Sequence, residues 1–392
     1  MLRRKQMVST ALLLLSLSCT TCEDPWTHQR SYWTPAQVCP TTRTIVVHSA
    51  EDGLVSAPSI ATSTKGGHLV VAWVSGGELN WAMLSAQGEL LRKVRATHGV
   101  IDHDLKYIDG RFTLAWTRRA LFAHTVELLE IDSVTGAADE AEVLYRSPVP
   151  VSEVTLSAWQ GSWAVGWSGE GCPGHRSCLR IMTPDGPLRL PKMTRRGAMA
   201  RAPQLLKTAD AGLLLWLERG ANNVVTLKTL DREGRDSDTA RTVPLKVGGR
   251  VGAPSAVVTP AGAIMTFANR LVGGDLQVWI ATLDAGGELE ARVFAGGEEP
   301  TAPPLIVLGS DGPEVLWISA LGIARRRAQS PGALTQAVPF SQGTPHAFSS
   351  APVPAGGLWV VAAIGGKILL KTQGTSCAEA AASNSAEDRL RP

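Results

Sequence analysis

A short apolar strand ending in tryptophan, His68-Leu69-Val70-Val71-Ala72-Trp73, recurs along the whole chain. Later copies end at Trp116, Trp167, Trp216, Phe267 and Trp317. Aligning Gly356-Gly357 with Gly66-Gly67 places a seventh copy at Ala363. The spacings are 43, 51, 49, 51, 50 and 46 residues. A period of this length with four short strands per unit predicts a propeller blade, a unit that buries its faces only against its neighbours.

The fifth unit shows the four strands most clearly. Strand a is expected over Gly252 to Val258, b over Ala263 to Phe267, c over Leu276 to Leu283 and d over Glu290 to Phe294. Turn chemistry recurs between c and d as Ser85-Ala86-Gln87-Gly88, Thr183-Pro184-Asp185-Gly186, Asp231-Arg232-Glu233-Gly234 and Asp284-Ala285-Gly286-Gly287. Each offers a residue suited to positive φ. An Ala-Pro dipeptide is expected to open strand a at Ala57, Ala202, Ala253, Ala302 and Ala351, with units two and three lacking it. The b strands are apolar on both sides, so both of their faces must be covered, and the marker tryptophan is read as the wedge between blades.

The last unit has strands a, b and c but no d. At the other end, Arg43 to Ser49 reads as a d strand with no unit before it. The expectation is an all-β, seven-bladed propeller of four-stranded antiparallel blades, closed when this N-terminal strand completes the last blade. Closure removes the edges that a linear array exposes.

The domain reading is a signal peptide over 1–18, a tether over 19–42, the propeller over 43–376 and a tail over 377–392. The leader has basic Arg3-Arg4-Lys5, an apolar run through Leu15 and small residues before Cys19. Its apolar run is too short to cross a bilayer. Cys19 resembles the acylated cysteine of bacterial lipoproteins in part, with Ser16 and Leu17 departing from the pattern; lipidation at Cys19 and plain signal cleavage both remain open. Export, to the periplasm, outer membrane or cell surface, makes disulfides admissible. Cys172 and Cys178 bracket a five-residue loop, and Cys39 and Cys377 meet where the last c strand joins its partner. Their pairing would close a loop of over 300 residues.

Of 38 basic residues, three lie in the leader, leaving 35 against 35 acidic ones. A neutral mature chain gives nucleic acid no global attraction. No motif for a phosphate, dinucleotide, metal or other cofactor occurs. The chain is expected to be a monomer that meets the membrane only through an N-terminal lipid.

Functional candidates fall on the face shared by the d to a and b to c loops. Three positions past the marker stand Arg119, Arg219 and Arg270, joined from the d to a side by Arg201. Guanidinium groups at a rim suit carboxylates, sulfates or phosphates. Asp102-His103-Asp104 opens strand a of unit two, with Glu153 at the matching place in unit three. Strand alternation puts both aspartates on one side, where carboxylates can act as acid and base or bind calcium. In period and turn chemistry the chain resembles uncharacterised exported β-propeller proteins and lipoproteins of Gram-negative bacteria. The resemblance implies a fold and an address. The expected function is a non-enzymatic binding or assembly scaffold of the cell envelope that presents its loop face to a protein or an acidic glycan. The alternative is a polysaccharide hydrolase or lyase with its site at the channel mouth near Asp102, Asp104 and Glu153.

Overall fold

The sequence repeat becomes seven antiparallel sheets in a computed structural model. The structure describes residues 37–38, 44–50 and 55–373, apart from gaps in the loops. The longest gaps are 171–176, 191–198, 236–241, 247–252, 271–275, 297–301, 329–335 and 339–344. Blade 2 shows the plan, with strands a (Val100–Ile108), b (Arg111–Arg119), c (His124–Asp132) and d (Glu142–Ser147) in spatial order. Strand a of each blade lies against strand a of the next, and strand a of blade 7 (Ala347–Pro352) returns to that of blade 1 (Ser59–Thr62). The ring is a seven-bladed β-propeller.

Closure occurs as the sequence predicts. Ile45–Ser49 pairs antiparallel with Lys367–Gln373, placing Ile45 opposite Leu370 and Ser49 opposite Lys367. The fifth unit matches closely, with b over Gly262–Arg270, c over Leu276–Asp284 and d over Leu289–Gly296. One strand was not expected. Gln37–Val38, within the stretch assigned to a tether, pairs parallel with Gln336 and Ala337 at the outer edge of blade 6.

The markers are wedges. Trp73, Trp116, Trp167, Trp216, Phe267 and Trp317 are all fully buried. Each packs against the preceding blade, as Trp116 does with Val70, Ala72 and Trp81 of blade 1. Trp216 does the same with Ala164, Leu179 and Ile181 of blade 3. Two of the indoles have buried carboxylates as acceptors. Trp116 Nε1 donates to Glu127 at 3.0 Å, and Trp216 Nε1 to Glu218 at 3.2 Å.

The structure corrects two details of the repeat. In blade 7 the residue equivalent to the marker is Ala362, one before Ala363. Leu358, Val360, Ala362 and Ile364 face blade 6, whereas Ala363 faces blade 1. The turn from strand a to strand b is one residue shorter there, with Pro352 opposite Leu358 where blade 1 has Thr62 opposite Leu69. Alignment on the turn glycines therefore slips by one, and a slip of one exchanges the two faces of a strand. The second correction concerns the Ala-Pro dipeptide: Ala351-Pro352 ends strand a of blade 7 and Ala202-Pro203 lies inside strand a of blade 4 (Met199–Lys207), so neither opens its strand.

The c to d turns behave as their residues require. Asp231 Oδ1 accepts from the N–H groups of Glu233 and Arg235, and Gly234 takes φ +80°. A side chain on Gly234 would press on Trp159 and Leu188, so glycine is needed there for space as well as backbone angle.

Candidate functional site

The inner strands surround a channel of about 970 Å³ whose lining includes Asp104, Lys106, Thr155, Gln204, Ser255 and Ser349. Strand b ends at the face where strand a begins, since Thr117 stands opposite Asp102 and Arg118 opposite Val100. The starts of the inner strands and the b to c loops therefore share one rim.

Bulges shape this rim. In blade 3, Glu153 and Val154 together occupy the step between the pairs Ser152 with Ser168 and Thr155 with Gly166. Blade 4 repeats the device with Ala202 and Pro203. Glu153 and Ala202 adopt φ of +55° and +48°, the left-handed region that costs any residue with a Cβ. Bulges of this kind re-aim side chains and gather near functional sites.

The side chain of Glu153 uses its new direction to cross to blade 4. Oε1 accepts from Arg201 Nη1 at 2.9 Å and Oε2 from the Ala202 N–H at 2.9 Å. Asp104 likewise spans two blades. Its Oδ1 accepts from the Leu105 N–H and its Oδ2 from the Leu156 N–H of blade 3, each at 2.8 Å. Lys106 Nζ lies 3.9 Å from Asp104 Oδ1.

The register position of Asp104 is reused in the next three blades. Gln204 accepts from the Ala256 N–H and donates to the Pro254 carbonyl, and Ser255 Oγ accepts from the Ile306 N–H. Thr155 donates to the Pro203 carbonyl. In blades 2 to 5 this position thus joins neighbouring inner strands, whose backbone groups would otherwise face the channel unpaired, whereas blade 6 has the apolar Leu305 there.

Asp102 stands two residues before Asp104, on the rim near the start of strand a, and is only half-buried by surface. Protein nevertheless encloses most of its surroundings. Desolvation pushes its carboxyl up to about 7, the nearby charges of Asp104 and Glu153 add to the rise, and the N–H groups of His103 and Val154 oppose it. His103 points the other way, buried, with Nε2 3.2 Å from the Ala72 carbonyl oxygen. Among the described residues, no three Asp, Glu, His or Cys side chains converge as a metal site.

The structure thus brings Asp102, Asp104, Glu153 and Arg201 together, whereas Arg119 and Arg219 end their b strands exposed. The side chain of Arg270 lies outside the described residues, as do Cys19, Cys39, Cys172 and Cys377. Cys178 sits in strand c of blade 3 opposite Gly169. Sequence reasoning missed the Leu121-Phe122 tip of the blade 2 b to c loop, where the two side chains are 93% and 92% exposed. Two large apolar residues in a short hairpin between Arg119 and His124 were the available signal.

No family model matches the chain, and no curated protein does. Solved structures do. The GH93 α-L-arabinofuranosidase of Fusarium graminearum, in complex with arabinobiose, aligns with a TM-score of 0.54 at 12% identity, covering 71% of this chain and 93% of the enzyme. An α-L-arabinofuranosidase of the same organism bound to an iminosugar inhibitor gives 0.54 at 13% identity, with 71% and 93% coverage. A protein of unknown function from Dyadobacter fermentans gives 0.49 at 15%, covering 87% of this chain and all of that one. The likeness is one of fold. The enzymes among these neighbours overturn the expectation of a non-enzymatic scaffold and favour its polysaccharide-hydrolase alternative.

Proposed function

We propose that this chain is a glycoside hydrolase acting on a polysaccharide, with Asp102 as its general acid at the channel mouth. The observation that carries the reading is a carboxyl pushed up to about 7 beside two further carboxylates. Glycosidic cleavage uses such a pair: one carboxylic acid that still holds its proton near neutral pH, and a second carboxylate that stays ionised. Asp102 supplies the proton to the leaving oxygen. Glu153, paired with Arg201, is the second carboxylate. Asp104 ties strand a of blade 2 to strand a of blade 3 through the Leu156 N–H and is a positioning residue.

The named activity of the arabinofuranosidase neighbours supports a sugar substrate and makes arabinan the first probe. Release of reducing sugar from arabinan, xylan and pectin is the test. Activity is expected on at least one, with Asp102→Asn reducing it by about 10²- to 10⁴-fold. Equal rates for the variant and the parent would refute the assignment.

The leader and the cysteines fit action outside the cytoplasm. In this reading residues 1–18 are removed on export, the product carries a lipid on Cys19 or is freely secreted, and Cys172–Cys178 and Cys39–Cys377 form disulfides. Intact mass of the native protein before and after reduction measures both features. A product that retains residues 1–18 would count against export.

A further inference from the structure

The hairpin tip at Leu121 and Phe122 is unexplained by folding. Both side chains stand almost wholly in solvent, while the adjoining strand b is buried through Thr117. The tip is held in shape by a hydrogen bond from the Ala120 N–H to the Ala123 carbonyl at 2.8 Å, so the exposure belongs to a closed turn. The b to c turns of blades 1 and 7 at this rim are the bare pairs Gly76-Gly77 and Gly365-Gly366. Blade 2 alone among these three carries apolar side chains there, and blade 2 also carries Asp102.

We propose that Phe122, supported by Leu121, is a stacking platform that holds a polysaccharide chain across the rim leading to Asp102. The inference rests on the hydrolase reading for its choice of ligand. Placement argues for it: Thr117 is the ladder partner of Asp102, and Phe122 follows five residues later on the same rim. Chemistry argues for it as well. The face of a phenyl ring matches the C–H face of a pyranose or furanose, and the exposed Arg119, three residues earlier at the end of strand b, offers N–H donors to hydroxyls. A bilayer is the less suitable occupant. A single myristoyl chain gives only marginal membrane binding, and two side chains bury less than that chain does.

Affinity electrophoresis tests this without requiring turnover. The protein is run in native gels containing soluble arabinan, xylan or pectin, and the Asp102→Asn variant is run beside it so that hydrolysis does not consume the ligand. Retardation by at least one polysaccharide is expected. Phe122→Ala should weaken it by about tenfold in apparent affinity, on the scale of partial burial of one phenyl ring, and Phe122→Trp should retain it. Because the residue is exposed, the melting temperature of Phe122→Ala should equal that of the parent. Equal retardation of Phe122→Ala and the parent, or no retardation by any of the three, overturns the platform. So does Phe122-dependent sedimentation with phosphatidylserine vesicles in place of polysaccharide binding. Retardation that depends on Phe122 with no hydrolysis of any of the three leaves the platform standing and removes the hydrolase reading. Hydrolysis indifferent to Phe122→Ala, in rate and in KM on the polymer, does the reverse.

Discussion

At the scale of single residues, Asp102 links function to stability. Its carboxyl is raised to about 7, so between about pH 4 and pH 7 the folded state keeps a proton that the unfolded chain has released. The stabilisation is therefore complete below about pH 4 and is lost as pH rises to about 7. Urea unfolding across this range should show stability falling with pH through this group, and Asp102→Asn should flatten that slope. A slope unchanged by the substitution would place the raised carboxyl elsewhere. The wedge residues give a second expectation. Trp116→Ala removes a buried ring and leaves Glu127 without its indole donor, so a loss of about 3–5 kcal/mol is expected in denaturant titrations. A loss below about 1 kcal/mol would mean that the blades do not depend on the wedge.

At the scale of elements, the sequence carried most of the blade but lost register where turns change length. Strand b was legible because its apolar run is unlike any one-sided strand. The c to d turns were legible because Asp231 and Gly234 have few alternative uses. The slip at Ala363 came from a turn shortened by one residue, which no local preference announces. Ala351-Pro352 misled because the same dipeptide fits both ends of an inner strand. The bulges were invisible: nothing in Glu153-Val154 signals positive φ, yet that conformation sends the carboxylate to Arg201 and Ala202. Thus Asp102 and Asp104 were readable as candidates by strand alternation and Glu153 by its matching place in the repeat, but their separate uses were not. The turn supplies a test of its own. Gly234→Val should destabilise blade 4 by about 1–3 kcal/mol, through backbone strain and crowding of Trp159 and Leu188. An unchanged urea midpoint would contradict this account of the turn.

At the scale of the whole molecule, the ring is held by two kinds of closure. Ile45–Ser49 joins the last blade by backbone pairing, and side chains tie the inner strands across the first and last blades, as Thr62 Oγ1 does by donating to the Pro352 carbonyl at 2.7 Å. Removing residues 1–50 should expose the edge of Lys367–Gln373, and sedimentation should then show association or loss of the cooperative transition. A stable truncated monomer would refute the role of that strand. Closure completes the channel, and the candidate site draws Asp102, Glu153 and Arg201 from three successive blades of the ring. The pH profile of arabinan, xylan and pectin hydrolysis by the parent and by Asp102→Asn decides whether Asp102 is the general acid. Turnover is expected on at least one polymer, falling as pH rises past about 7, and lost in the variant. No turnover on any polymer, or a variant with the profile of the parent, would contradict that role.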